Sequence, residues 1–141
     1  MGFQIFNTEQ GDCFHCHSLS LMTDGQMHNI GLDSVFSGAN AGLYNYTGNP
    51  ADLGKFKSPS LRNVALRDRF MHDGRFTTLE QVIMHYNVDV KLSPSLDPIM
   101  TKPGKEFGLE LSPVEVQAVK AFLLTLTDST FITDPRFSSP F

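Results

Sequence analysis

Two cysteines and two histidines lie within five residues near the start of the chain, in the run Cys13-Phe14-His15-Cys16-His17. This C-x-x-C-H spacing is typical of covalent c-type haem attachment. Two thiols three positions apart reach the two vinyl groups of one porphyrin, and the histidine that follows gives the iron its proximal imidazole nitrogen. The chain has no other cysteine. The motif therefore predicts one covalent haem c, held by Cys13 and Cys16 and ligated by His17.

Three other chemistries could use a pair of cysteines: a zinc site, a thiol redox centre and a structural disulfide. Zinc needs about four ligands, usually with a second Cys or His pair at tight spacing, and the sequence has no such pair. A redox C-x-x-C needs a βαβ context, which the Gly-, Asn- and Ser-rich stretch after the motif does not suggest. None of these three alternatives accounts for a histidine directly after the second cysteine, at position 17. A non-haem thiol oxidoreductase stays a rival hypothesis, which a pyridine haemochrome assay would separate from a cytochrome.

Composition limits the class of protein. The 141 residues are enough for one domain with a sizeable core. A net charge of −4 argues against nucleic-acid binding, which favours a clustered basic face. No apolar run approaches the roughly 18 residues of a membrane span. Eleven glycines, eight prolines and twelve phenylalanines suit a loop-rich fold around a flat apolar cofactor.

Cellular location follows from the attachment chemistry. Covalent haem is normally attached outside the cytoplasm, so we expect a periplasmic protein. Cys13 follows Met1 too closely for a signal peptide to fit between them. We therefore expect a mature or truncated chain that starts just before its first helix.

The first half of the chain predicts little regular structure. Phe3 and Phe6, spaced i, i+3, indicate a short helix that ends near Gly11. Residues 18–54 are rich in Gly, Asn, Ser and Asp and predict a long ordered loop, a kind of segment that is usually functional. Residues 55–65 predict an extended stretch that tightens into a short helix after Pro59.

Two later segments predict capped amphipathic helices. Thr77-Thr78-Leu79-Glu80 indicates a capping box that opens a helix through about Asn87. Ser112-Pro113-Val114-Glu115 indicates a second helix that runs to about Thr127. Together with the haem motif, these helices predict a mainly α, cytochrome c-like fold with long ordered loops. We expect a single domain, 1–141, whose tail (129–141) lies extended over the surface.

The sixth iron ligand decides the redox role, and Tyr86 is the first candidate. It shares one face of its helix with three apolar residues, Leu79, Val82 and Ile83. A buried Tyr is more often a core aromatic whose hydroxyl makes a hydrogen bond, so this alternative stays open. Met84 projects to the opposite side of the helix, and His85 lies at the margin of the apolar face.

Other candidates lie in turns. Met100 is in a Pro-flanked loop before the final helix, the position from which simple mono-haem cytochromes c supply a Met ligand. Met71 and His72 precede Asp-Gly, where a His more often makes a turn hydrogen bond than ligates a metal. We expect His15 and His28 to lie on the surface.

Cations flank the apolar residues of the 55–65 segment. Most such charges are simply solvated. The functional alternative is that Arg62, together with Lys57, binds the haem propionates, because a guanidinium binds carboxylates bidentately.

Four segments, in this order, resemble the carboxy-terminal haem domain of the bacterial di-haem cytochrome c peroxidases. They are Gly11-Asp12-Cys13-Phe14-His15-Cys16-His17, Phe56-Lys57-Ser58-Pro59-Ser60-Leu61-Arg62-Asn63-Val64-Ala65, Met71-His72-Asp73-Gly74-Arg75-Phe76 and Thr78-Leu79-Glu80-Gln81-Val82. The resemblance covers residues 2 to about 128. It implies an amino-terminal domain with the peroxidatic haem, which is absent from this chain, and a small redox protein as electron donor.

The resemblance also implies roles for individual residues. The distal Met of the classical peroxidases falls on Tyr86, so the chain is similar to the branch that matures methylamine dehydrogenase, whose members use a Tyr there. Residues implied to lie near the haem are Phe56, Pro59, Leu61, Arg62, Phe70 and His72. The family binds calcium between its domains, but Arg67 and Arg69 replace the usual Thr and Pro, which argues against a calcium site here.

Two functions follow as expectations. The first is the electron-transfer haem domain of a di-haem peroxidase, ligated by His17 and Tyr86. Because both axial positions would be filled, we expect little or no peroxide turnover from this domain alone. The alternative is a mono-haem electron carrier ligated by His17 and Met100.

Overall fold

The protein is described by a computed structural model that covers residues 1–18, 20–106 and 108–139. Within these ranges the chain forms five α-helices and one small antiparallel sheet. The helices are α1 (Gly2–Phe6), α2 (Tyr44–Thr47), α3 (Leu79–Val88), α4 (Pro113–Leu124) and α5 (Ser129–Thr133). The sheet pairs β1 (Met27–His28) with β2 (Phe56–Lys57). Helices joined by long irregular segments confirm the predicted mainly α class.

Helix α4 is the centre of the packing and contacts both α1 and α3. It begins as predicted: the Ser112 hydroxyl accepts from the backbone N–H of Glu115, and the Glu115 carboxylate accepts from the N–H of Ser112. Its buried side chains are Val116, Val119 and Leu123. Helix α1 approaches it very closely, because a Cβ on Gly2 would lie 1.9 Å from the Ala118 carbonyl oxygen.

Helix α3 begins one residue later than predicted. Thr78, rather than Thr77, is the cap, and its hydroxyl accepts from the backbone N–H of Gln81. The Gln81 side chain completes the capping box by accepting from the Thr78 N–H. The Glu80 carboxylate, which the predicted box requires, instead pairs with Lys120 of α4. The sequence allows two capping boxes, Thr77 with Glu80 or Thr78 with Gln81. The ion pair between Glu80 and a residue of α4 favours the second.

The predicted loop regions hold more local structure than expected. Helix α1 ends at Phe6 rather than near Gly11, because the chain folds back so that the Gly11 N–H donates to the Ile5 carbonyl. The 18–54 segment contains β1, α2 and two short 3-10 turns, and β1 attaches it to β2 by pairing His28 with Phe56.

The tail is not extended over residues 129–137. Helix α5 starts at an Asp128 cap, and a 3-10 turn over Pro135–Phe137 starts at an Asp134 cap. The rings of Phe131 and Phe137 contact each other at 4.7 Å between centroids. The prediction missed both caps because it looked for apolar periodicity, which so short an element cannot show. The last two residues of the predicted tail, 140 and 141, lie outside the described residues.

Across the described ranges, every helix is too short or too polar to cross a membrane.

Candidate haem-binding site

A cavity of about 420 Å³ opens between the N-terminal segment, the 56–61 segment, α3 and the loop before α4. Cys13, Cys16 and His17 line one part of it, and Tyr86 of α3 also lines it. Neither cysteine is in a disulfide. The structure therefore brings the two cysteines and the final histidine of the motif, together with the predicted distal ligand, to one cavity.

The orientation of His17 is fixed by its neighbouring loop. Its Nδ1 lies 3.1 Å from the carbonyl oxygen of Met22, which accepts a hydrogen bond from it. This leaves Nε2 as the nitrogen free to bind a metal, with the tautomer set by the backbone. Burial lowers the pKa of His17 in spite of that carbonyl, which favours the neutral imidazole that a metal needs.

The two thiols are not poised for redox chemistry of their own. Burial, and then the nearby negative charge of Asp12, raises the pKa of Cys13 to about 12. Burial and the charge of Asp24 raise the pKa of Cys16 to about 12. Reactive cysteines and thiolate metal ligands have lowered pKa values and electropositive surroundings. Both environments therefore disfavour the thiolate that a thiol oxidoreductase uses.

Tyr86 lines the cavity from the apolar face of α3, as predicted, together with Leu79, Val82 and Ile83. Burial, and then the proximity of Cys16 and Cys13, raises the pKa of its hydroxyl. Within the described residues that hydroxyl makes no hydrogen bond, although the Tyr86 carbonyl accepts from the Leu109 N–H at 3.1 Å. A core tyrosine normally finds a partner for its hydroxyl.

The methionine candidates separate into two groups. Met84 is 40% exposed and lies outside the cavity lining. Met71 and Met100 both line the cavity. Met71 is in the left-handed backbone region with φ +70°, and Met100 lies in a 3-10 turn over Pro98–Thr101. Met71 and Met100 therefore line the same cavity as Tyr86, and both stay candidates for the sixth iron ligand.

Most of the other predicted contact residues also line the cavity. They are Phe56, Pro59, Leu61, Phe70 and His72. The His72 ring stacks on Phe56 at 3.7 Å between centroids, and its Nε2 lies 3.0 Å from the Asn40 side-chain oxygen. Arg62 does not line the cavity; its guanidinium donates to the Ser20 carbonyl at 2.8 Å. Lys57 lines the cavity, as do Arg67, Arg69 and Lys105, which the sequence did not identify as cavity residues.

His28 was expected on the surface, and this prediction was wrong. Its side chain is only 17% exposed and lines the cavity, with Nε2 2.8 Å from Asp24 and Nδ1 2.6 Å from Asp97. Partial burial works against the charged form, but the hydrogen bonds to both carboxylates outweigh it and raise the pKa of His28. The i, i+4 spacing from Asp24 could have suggested one partner, whereas Asp97 is distant in sequence.

The donor set fits haem c. Two free thiols, an imidazole fixed through its other nitrogen and a largely apolar wall are what covalent attachment and axial ligation require. Cys13 and Cys16 would hold the group, and His17 would ligate it from the proximal side.

Comparison with known proteins agrees with this geometry. The family model of cytochrome c matches residues 1–127. A cytochrome-c peroxidase of Denitromonas iodatirespirans, IdrP2, is 33% identical over 89% of the chain. The methylamine utilization protein MauG of Methylophilus methylotrophus is 34% identical, also over 89% of the chain. The chain spans only 38% and 35% of these two relatives.

Solved structures show the same fold. A MauG-like protein associated with microbial copper homeostasis superimposes with a TM-score of 0.88 at 33% identity, covering 99% of this chain and 49% of that one. The diheme peroxidase BthA of Burkholderia thailandensis superimposes with a TM-score of 0.68 at 22% identity, over 93% of this chain and 42% of that one.

Proposed function

Because this chain belongs to the cytochrome c family, carries one covalent haem c and has homologues among diheme peroxidases and MauG proteins, we propose that it is an electron-transfer haem domain of a di-haem peroxidase. In this proposal His17 and Tyr86 are the axial ligands. The parent protein reduces hydrogen peroxide at a second haem, with electrons from a small redox protein in the periplasm.

The observation that carries the proposal is the placement of Tyr86. Its ring lines the cavity that both thiols and His17 also line, and its hydroxyl has no hydrogen-bond partner among the described residues. The side chain is half-buried and its hydroxyl is not enclosed by protein, so the hydroxyl is available to a group bound in the cavity. Ligation of a metal would lower the hydroxyl pKa that burial raises.

The surrounding residues hold both ligands in place. The Met22 carbonyl orients His17. The Leu109 N–H holds the Tyr86 backbone, and the adjacent Asn87 fixes the end of α3 by bonding to both the N–H and the carbonyl of Leu111. Rigid axial ligands keep structural change small when an electron is gained or lost, as an electron-transfer site requires.

Haem c supplies one-electron chemistry, and its axial ligands set the potential. An anionic phenolate favours the ferric state, so a Tyr-ligated site has a lower reduction potential than a His/Met site. If His17 and Tyr86 both bind the iron, this domain would offer peroxide no free site on the metal.

Two measurements on the haem-loaded chain test the proposal. We expect a potentiometric titration to give a reduction potential well below that of His/Met cytochromes, and a peroxidase assay to give little or no turnover. A Met100→Leu variant is the control and should change neither result. Robust peroxide turnover, or a potential in the His/Met range that collapses in the Met100→Leu variant, would contradict the proposal.

A second candidate is a mono-haem electron carrier ligated by His17 and Met100. It is favoured by one observation: Met100 also lines the cavity, in the loop just before α4. This function predicts the far-red sulfur-to-iron charge-transfer band in the ferric spectrum and an unchanged spectrum in a Tyr86→Phe variant.

A further inference from the structure

Residues 58–62 follow β2 and run beside the part of the chain that carries the haem motif. The sequence predicts extended chain here, which places the side chains of alternate residues, Ser58, Ser60 and Arg62, on one face. Arg62 was expected at the haem propionates, but its guanidinium donates to the Ser20 carbonyl instead. The polar side chains of this segment therefore have a different target from the one that the sequence suggested.

Four hydrogen bonds from this segment end on backbone carbonyls close to His17 in sequence. They run from Ser58 Oγ to Cys16 at 3.0 Å, from Ser60 Oγ to Leu21 at 2.8 Å, from the Leu61 N–H to Met22 at 3.1 Å and from the Arg62 guanidinium to Ser20 at 2.8 Å. We call the four donor residues, Ser58, Ser60, Leu61 and Arg62, the brace. The brace therefore holds the chain on both sides of His17.

Met22 is the residue through which the brace reaches the proximal ligand. Its carbonyl oxygen accepts from Nδ1 of His17 at 3.1 Å as well as from the Leu61 N–H. Met22 is 5% exposed and has a left-handed backbone, with φ +56°. A residue with a side chain keeps this conformation only where its surroundings impose it. The hydrogen bonds from the brace to Leu21 and to Met22 itself supply that constraint.

The hydrogen bond between His17 and the Met22 carbonyl affects the ligand electronically. A carbonyl that accepts from the second nitrogen of a ligating imidazole makes that imidazole more basic. A more basic ligand favours ferric over ferrous iron and so lowers the reduction potential. If Met22 leaves the left-handed region, its carbonyl turns away from His17 and this effect is lost.

We infer that Ser60 and Arg62 are positioning residues for the proximal ligand. They keep Met22 in the conformation that presents its carbonyl to His17, and they thereby hold the haem reduction potential low. Arg62 acts from outside the cavity; Ser60 lines it, but its hydroxyl is already bonded to Leu21. The inference rests on the proposed ligation by His17.

The test is a potentiometric titration of the haem-loaded chain in a Ser60→Ala variant. This substitution removes an uncharged hydroxyl, so the net charge stays the same. At a fixed ambient potential we expect the ratio of ferrous to ferric protein to rise about three- to tenfold, the change that corresponds to about one hydrogen bond. Ser60→Thr keeps the hydroxyl and should have the parent potential.

Ser95→Ala is the matched control. Ser95 Oγ also donates to a backbone carbonyl that is distant in sequence, that of Leu53, at 2.7 Å. We expect this variant to lose a similar amount of stability and to keep the parent potential. Equal shifts in Ser60→Ala and Ser95→Ala, or an unchanged potential in Ser60→Ala, would overturn the inference.

Exchange of the His17 Nδ1 proton with deuterated solvent reports the hydrogen bond itself. In nuclear magnetic resonance spectra of the ferric chain labelled with 15N-histidine, this proton should exchange about three- to tenfold faster in Ser60→Ala and in Arg62→Met than in the parent. Arg62→Met is compared by exchange alone, because its lost charge would itself alter the potential. The same exchange rate in all three proteins would contradict the positioning role.

The same spectra distinguish the two possible failures. A His17 signal without a paramagnetic shift would overturn the proposed ligation, and this inference with it. A paramagnetically shifted His17 signal whose exchange rate is the same in the parent and both brace variants would overturn only the positioning role of Ser60 and Arg62.

Discussion

Asn87 joins the end of α3 to the segment before α4, and its replacement by leucine tests how the Tyr86 region is held. The residue is 4% exposed. Its Nδ2 donates to the Leu111 carbonyl at 3.1 Å, and its Oδ1 accepts from the Leu111 N–H at 2.6 Å. Asn87→Leu keeps a similar volume but removes both hydrogen bonds, so two buried backbone groups lose their partners.

The expected cost follows from these two groups. Each unsatisfied buried donor or acceptor costs about 1–3 kcal/mol, so the free energy of unfolding should fall by about 2–6 kcal/mol. For a chain of this size, each kcal/mol lost lowers the melting temperature by about 2–4 °C, which gives a fall of roughly 4–24 °C.

Chemical denaturation of the haem-loaded protein, followed by far-ultraviolet circular dichroism, measures this change. The control is Asn45→Leu, which removes one hydrogen bond to the Gly38 carbonyl on the exposed surface and should cost less than about 1 kcal/mol. Equal stabilities of the two variants would refute the reasoning that Asn87 secures the α3–α4 connection.

Two further predictions concern charged groups. Because hydrogen bonds to Asp24 and Asp97 raise the pKa of folded His28, its stabilisation is full below the unfolded pKa of about 6.5 and is lost as pH rises through the raised folded value. Thermal melts should therefore show His28→Gln destabilised at pH 5 and close to the parent at pH 9; a constant difference would contradict this. Lys102→Met should lower the free energy of unfolding by about 1–2 kcal/mol, because the Asp12 carboxylate, 9% exposed, loses its cation at 2.6 Å. Denaturation of Lys91→Met, whose ion pair is half exposed, is the control and should show a change below about 0.5 kcal/mol.

The features that sequence could predict are those encoded by neighbouring residues. The C-x-x-C-H motif fixes haem attachment because its chemistry depends on a five-residue spacing. The apolar face of α3, including Tyr86, follows from helical periodicity, and the Ser112 cap follows from local hydrogen-bonding capacity. Each of these needs no knowledge of the tertiary structure.

The features that sequence missed depend on distant contacts. Thr78 and not Thr77 caps α3 because Glu80 is drawn to Lys120 on another helix. His28 lies at the cavity because Asp97, far along the chain, holds it there. The position of Arg62 outside the cavity depends on how the chain folds around Ser20, which no local pattern encodes.

The proposed ligation by Tyr86 is tested most directly by electron paramagnetic resonance and optical spectra of the ferric, haem-loaded chain in two variants. We expect Tyr86→Phe to remove the phenolate-to-iron charge-transfer band and change the spin state, while Met100→Leu leaves both unaltered. An unchanged Tyr86→Phe spectrum, together with loss of a far-red sulfur band in Met100→Leu, would contradict the account.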